Sequence, residues 1–230
     1  RAAFVSAVTH ELRSPLTTFR MYAEMLAEGM VRDAAQRTTY LETLRVEADR
    51  LSHLVENVLQ YARLERGRNG RRCAPIALER LVRHTTERLP QRASQAGMLL
   101  QETAPPAAQP IVWTDPAAVE QILFNLVDNA CKYAAAARDR RIHIQWSLGN
   151  GTVQVRIADH GPGIAPEQLA KLFQPFSKTD QEAAQSAPGI GLGLALCRRL
   201  AQDIGGRLTY TPDPDSGAVF LLELPLQKRT

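Results

Sequence analysis

Two apolar series, each stepping alternately by three and four residues, run through the first third of the chain. Val5, Val8, Leu12, Pro15, Phe19, Tyr22 and Leu26 form one, and Leu41, Leu44, Ala48, Leu51, Val55, Val58 and Ala62 form the other. Such spacing is the a/d seam of packed helices, and the intervening "EGMVRD" turns the pair into a hairpin. Phe4, Leu16, Ala23, Leu54 and Leu59 flank the seams and widen the apolar stripe. A single hairpin leaves so wide a stripe partly exposed, whereas two copies joined as a four-helix bundle bury it. The expectation is a hairpin that dimerises.

With Val5 at a and Val8 at d, His10 falls at f, farthest from the seam and open to solvent or a visiting domain. Position alone favours a plain surface histidine, as for His53 at the same heptad position of the second helix. Pro15 shifts that balance. It lacks an N–H and clashes with the carbonyl of Glu11, at about 3 kcal/mol in a helix interior. A costly irregularity beside an exposed His10–Glu11 pair is the kind of strain that gathers at working sites.

The 230 residues, 44% hydrophobic and 23% charged, allow one large domain or two small ones. A net charge of +4 with acids mixed throughout, and no RNP-type aromatic motif or finger spacing, gives no reason to expect a nucleic-acid partner. The basic run from Arg63 to Cys73 reads first as a solvated linker, and second as a contact for acidic lipid. Three distant cysteines, Cys73, Cys131 and Cys197, fit a reducing compartment better than a disulfide framework. No apolar run approaches the ~20 residues that span a bilayer. Residue 1 is arginine, so any membrane segment is expected upstream of this chain.

Pattern and composition change near Arg72. The expected division is a helical hairpin over 1–66, a basic linker over 67–74 and a second domain over 75–230. Short β-like runs, "PIAL", "MLLQET" and "PIVWTD", surround a helix. Asp115-Pro116 is a helix start, an N-cap followed by proline in the first turn. Along the helix it opens, Val119, Leu123, Val127, Ala130 and Ala134 line one face. Asn125, Asn129 and Lys132 line the opposite one. Two amides stacked with a lysine supply oxygens for a hard cation and a point charge for phosphate; a plain solvated face fits the same pattern equally well.

Two alternating runs around Asn150-Gly151 make a hairpin, which ends in "DHGPGI", Asp159 to Ile164. Gly161 and Gly163 let backbone approach a ligand there, with Asp159 as a buried acceptor; a strand-ending turn is the simpler reading of that segment alone. Farther on, Gly189, Gly191 and Gly193 precede a helix whose free N–H groups and dipole favour phosphate. The sequence there is neither a Walker A loop nor a dinucleotide fingerprint. The polar stretch between Gln174 and Pro188 reads as a lid, and the tail supplies a closing pair of strands.

Taken in order, "FVSAVTHELRSPL", "NLVDNACKY", "DHGPGI", "LFQPFSK" and "GIGLGLAL" closely resemble the H, N, G1, F and G2 boxes of a sensor histidine kinase of a two-component system. The likeness covers essentially the whole chain. It implies an α+β protein in which the dimeric four-helix bundle is followed by an α/β two-layer sandwich of the Bergerat ATP-binding type. Its cofactors would be ATP and Mg²⁺. Its partners would be a second copy of itself and the receiver domain of a cognate response regulator, with the chain on the cytoplasmic side of a bacterial inner-membrane sensor.

Residue by residue, His10 matches the phosphoacceptor and Glu11 the acid that orients the ring and takes its proton. Ser14 stands where relatives position a water for dephosphorylation, and Pro15 matches the family's kink. Asn129 matches the magnesium-binding amide, with Asn125 beside it, Lys132 near the phosphates and Tyr133 lining the pocket. Asp159 matches the acceptor for the adenine amino group, walled by Gly161 and Gly163. Gly189, Gly191 and Gly193 match the hinge and phosphate-facing loop of the lid, and Phe173 and Phe176 the F box. His160 replaces the usual asparagine, and Lys178 stands where many relatives carry arginine. His84 and His143 match no family role and read as structural or surface residues. Two rival readings are a silent ATP-binding scaffold and a related sandwich ATPase. The first is opposed by the presence of His10, Glu11 and Asn129, the second by the hairpin ahead of the sandwich.

Overall fold

The computed structural model describes residues 2–31, 33–65, 73–103, 105–108, 110–175, 191–213 and 217–226. The chain folds as two compact units, the first holding helices α1 (Ala2–Ala27) and α2 (Ala34–Glu65). No helix among the described residues is long and apolar enough to cross a membrane.

In the first unit α1 runs unbroken through Pro15. It ends where the N–H groups of Gly29 and Met30 bond back to the carbonyls of Leu26 (3.3 Å) and Met25 (3.1 Å), the paired closure that satisfies last-turn acceptors. Asp33 then caps α2, its carboxylate accepting from the Gln36 N–H at 3.0 Å. Across the turn the rings of Tyr22 and Tyr40 meet with centroids 4.6 Å apart. Pro15 is buried, and Leu12, Phe19, Tyr22 and Leu26 are half-buried. The hairpin by itself still leaves Leu16, Leu41, Val55 and Leu59 between 45% and 57% exposed.

The second unit is a two-layer sandwich. Its sheet runs β2 (Leu99–Glu102), β4 (Arg141–Leu148), β5 (Thr152–Ala158), β7 (Ala218–Pro225), β6 (Arg207–Pro212), with only the β2–β4 pair parallel. A separate ribbon pairs β1 (Ala74–Ala77) with β3 (Ile111–Thr114). The sequence pattern suggests one helix between β1 and β2; the structure has two, α3 (Leu78–Thr86) and α4 (Leu89–Gln95). Pro90, lacking a donor N–H, lies in the first turn of α4, where that loss costs least. Asp115 caps α5 (Pro116–Tyr133), accepting from the Ala117 N–H at 3.1 Å. Among the described residues, a four-residue helix, α6 (Pro166–Leu169), and α7 (Gly193–Asp203) complete the order.

Alternation along the strands decides the two faces. Ile142, Ile144 and Trp146 of β4, Val153, Val155 and Ile157 of β5, and Phe220, Leu222 and Leu224 of β7 are all buried. Register pairs Ile157 with Phe220, Val155 with Leu222 and Val153 with Leu224, so these residues form one apolar sheet face. Helices α5 and α7 cover it with Ile122, Leu123, Leu126, Leu196 and Leu200, each at most 1% exposed. The intervening strand positions, among them Arg141, His143 and Arg156, lie on the other face.

Leu196 is completely buried in α7, so Leu196→Ala removes methyl groups from a packed layer. The expected loss is about 2–5 kcal/mol of unfolding free energy for the second unit. A urea titration followed by tryptophan fluorescence, which reports Trp113 and Trp146 of that unit, checks it.

Candidate functional site

The best-defined polar structure lies where β5 ends. Asp159 is only 6% exposed. Its Oδ1 accepts from the N–H of Gly161 at 2.8 Å and of Ala218 at 3.0 Å. The main chain closes the same corner: Gly217 N–H donates to the Asp159 carbonyl at 2.7 Å, and Asp159 N–H to the Ala218 carbonyl at 3.1 Å. A Cβ at Gly217 would collide with the Gly161 backbone and the Asp159 carboxylate, so only glycine fits there. Among the described residues no donor meets Asp159 Oδ2. One oxygen is fixed and the other is left to accept.

This corner abuts the C-terminal end of α5. A Cβ at Gly161 would stand 3.2 Å from Ala134, the residue that caps α5. Gly163 follows with φ of 72° and its open side against the Gly217 carbonyl. Asp159, Gly161, Gly163 and the end of α5 carrying Lys132 and Tyr133 therefore form one neighbourhood, and Tyr133 is 44% exposed. Asn129 lies one turn back on α5 and is half-buried.

Asn125 does not occupy the solvated face that helical periodicity suggests. It is 7% exposed and stands beside Cys197 of α7, because α7 covers that side of α5. Its Nδ2 has no hydrogen-bond partner. Burial pushes the neighbouring Cys197 thiol up to about 12, so it stays protonated; the thiol lies 3.8 Å from the Ile122 carbonyl. Of the two amides, Asn129 is the one that stays partly exposed.

Lys132 is tied by a partner that periodicity gave no reason to name. Asp128 accepts from Arg92 Nε at 2.9 Å and Nη2 at 2.6 Å through Oδ1, and pairs with Lys132 Nζ at 2.5 Å through Oδ2. Burial pushes the Asp128 carboxyl up, but Lys132 and Arg92 outweigh it and hold the group below the usual carboxylate range. Arg92 comes from α4, 36 residues away, so only the fold brings it here.

Gly193 opens α7, preceded by Gly191 with φ of 66°. Gly189, Phe176, Lys178 and most of the expected lid lie outside the described residues. Phe173 packs edge-on against Phe220, centroids 6.5 Å apart, with the Arg198 guanidinium 5.1 Å from its ring centroid. His10, Glu11 and Ser14 lie within α1, and their side chains are outside the described set. His84 is exposed, 3.7 Å from Glu120. His143, which the sequence leaves as a structural or surface residue, meets His160, their Nε2 atoms 3.1 Å apart.

The second unit thus holds a buried carboxylate fixed by backbone, a glycine corner against a helix carrying an amide and a lysine, and a glycine-opened helix. Residues 114–228 match the family described as histidine kinase-, DNA gyrase B- and HSP90-like ATPase. Residues 1–67 match the His Kinase A (phospho-acceptor) domain. The chain belongs to that ATPase family and carries the phospho-acceptor domain ahead of it.

It is 31% identical over 228 residues to the sensor protein KdpD of Escherichia coli (strain K12), covering 99% of this chain and 24% of KdpD. It is 30% identical over 230 residues to the signal transduction histidine-protein kinase BaeS of the same strain, covering 99% and 47%. The chain spans about a quarter to a half of the length of these curated relatives. Full-length ShkA, solved in complex with AMPPNP, aligns with a TM-score of 0.65 at 29% identity, over 100% of this chain and 46% of that one. The histidine kinase AdeS of Acinetobacter baumannii shares the fold, with a TM-score of 0.70 at 23% identity over 95% and 98% of the two chains.

Asp128→Asn should lower the stability of the second unit by roughly 1–3 kcal/mol at neutral pH, because Arg92 and Lys132 lose a charged acceptor. The folded carboxyl titrates below its unfolded value, so its contribution is present above that unfolded value and fades as pH falls through the folded one. Urea unfolding of both proteins at about pH 7 and pH 3 reads this as a gap that closes in acid; a gap independent of pH would contradict it.

Proposed function

We propose that the chain autophosphorylates His10 from ATP and passes the phosphoryl group to an aspartate of a response-regulator receiver domain. In the first step an imidazole nitrogen attacks the γ-phosphorus, the bond to the β-phosphate oxygen breaks, ADP leaves and Glu11 takes the ring proton. Histidine suits the task because its unperturbed pKa of about 6.5 leaves the ring mostly neutral near pH 7. In the second step the receiver carboxylate attacks the phosphorus of the phosphohistidine, the P–N bond breaks, and the ring takes its proton back from Glu11, so that neutral imidazole leaves. Ser14 is assigned to positioning a water for the reverse task, removal of the phosphoryl group from the regulator.

The observation that carries the reading is the half-committed carboxylate of Asp159. With Oδ1 held by Gly161 and Ala218 and no donor at Oδ2 among the described residues, it suits the exocyclic amino group of adenine. Gly161 and Gly163 then wall the base and Tyr133 lines the pocket. Lys132, anchored by Asp128, faces the phosphates, and Gly193 opens α7 on the phosphate side. Asn129 would hold Mg²⁺ through its amide oxygen, consistent with its half-buried place on α5. Bound there, the ion would neutralise phosphate charge during transfer. Asn125 we assign to the α5–α7 contact.

The apolar residues left open on the hairpin, Leu16, Leu41, Val55 and Leu59, support a homodimer that covers them. We place the chain in the bacterial cytoplasm, where ATP and receiver domains are found.

Incubation with γ-labelled ATP tests the function. The wild type should take up label that is acid-labile and alkali-stable, as expected of a phosphoramidate. His10→Gln should take up none while binding nucleotide within about twofold of wild type, since His10 belongs to the other unit. Label of the same stability in the variant would overturn the assignment.

A further inference from the structure

The Nε2 atoms of His143 and His160 lie 3.1 Å apart, with ring centroids at 5.2 Å and ring planes at 79°. Strand register explains the meeting. His143 on β4 is the partner of Ala158 on β5, and His160 follows two residues later, on the same outer face of the sheet. Both side chains are partly buried. A hydrogen bond between them needs a proton on one Nε2 and a bare Nε2 on the other. The same spacing is that of two imidazoles sharing one cation. With Zn–N bonds of about 2.0–2.1 Å, two nitrogens at angles between square and tetrahedral lie roughly 2.9–3.4 Å apart.

The surroundings fit a cation. Three charged groups face the pair, and each is already matched. Arg141 forks onto Asp139, with Nε 2.9 Å from Oδ1 and Nη2 2.5 Å from Oδ2. Arg156 pairs with Asp213 at 2.6 Å. The two arginines therefore repel an incoming dication less than bare guanidinium groups would. Asp139 Oδ2 is 3.7 Å from His160 Nε2 and is already taken up by Arg141. Among the described residues no group of three or more His, Cys, Asp or Glu side chains forms a metal site. Two imidazoles with water completing the shell are therefore what this face offers.

We propose that His143 and His160 form a two-imidazole site for a late first-row divalent cation of the Zn²⁺ or Cu²⁺ kind, on the outer face of the sheet. Nitrogen ligands select such ions over Mg²⁺, which takes oxygen. The site is therefore chemically separate from the Mg²⁺ that Asn129 would hold, and it stands whether or not the kinase assignment does.

Calorimetric titration of Zn²⁺ into the metal-stripped full chain, with Mg²⁺ in excess, tests it. One binding event in the wild type should weaken roughly tenfold or more in His143→Gln and in His160→Asn, and vanish in the double variant. Thermal unfolding without metal should be the same for all four proteins. NMR of the wild type gives a readout that needs no variant: the ring C–H signals of His143 and His160 should move together with the first equivalent of Zn²⁺. An unchanged titration in the double variant, or ring signals unmoved by stoichiometric Zn²⁺, would overturn the proposal.

Discussion

The carboxylate of Asp159 joins the end of β5 to the start of β7 and to the turn that follows, through two backbone N–H groups on a single oxygen. Charge-assisted bonds of this kind are stronger than neutral ones, and these sit where water has little access. They also dictate what surrounds them. Gly217 must be glycine because the Gly161 backbone and the carboxylate occupy the space a side chain would need. Gly161 must lie close against Ala134, which brings the end of α5 to the corner. The position of Lys132 and Tyr133 relative to Asp159 follows from that packing rather than from loop flexibility.

A second constraint acts from the helix layer. Asp128 uses both oxygens, one for Arg92 of α4 and one for Lys132. The pair fixes the direction of the lysine while leaving it partly exposed, with a side-chain exposure of 33%. An ammonium has three donors, so one spent on Asp128 leaves two for an incoming anion. Arg92 thus steadies the carboxylate that holds the lysine.

Local chemistry made much of this legible in the sequence. Asp115-Pro116 announced the start of α5, Asn150-Gly151 the β4–β5 hairpin and Gly193 the opening of α7, because caps and turns are decided by a few neighbouring residues. Gly161 and Gly163 beside Asp159 were readable for the same reason, whereas Gly217 reaches the corner from a distant segment. What escaped the sequence was set at long range. Asn125 looks solvent-facing by periodicity, but a second helix covers that side, and no window along α5 contains α7. Arg92 with Asp128, and His143 with His160, meet through helix packing and strand register across 36 and 17 residues. The α3–α4 break lay in a segment where one helix fits the apolar pattern as well as two.

The account rests on Asp159 reading an adenine amino group. Binding of ATP and GTP to the full chain, measured by calorimetry beside Asp159→Asn, tests that most directly. The asparagine keeps an oxygen for the Gly161 and Ala218 N–H groups but turns an amide N–H₂ toward the base. The wild type should bind ATP well over GTP. The variant should lose roughly tenfold or more in ATP affinity, because two donors then face each other, and shift its preference toward the 6-oxo base. Equal ATP affinity in the two proteins, with the variant folded, would contradict the account.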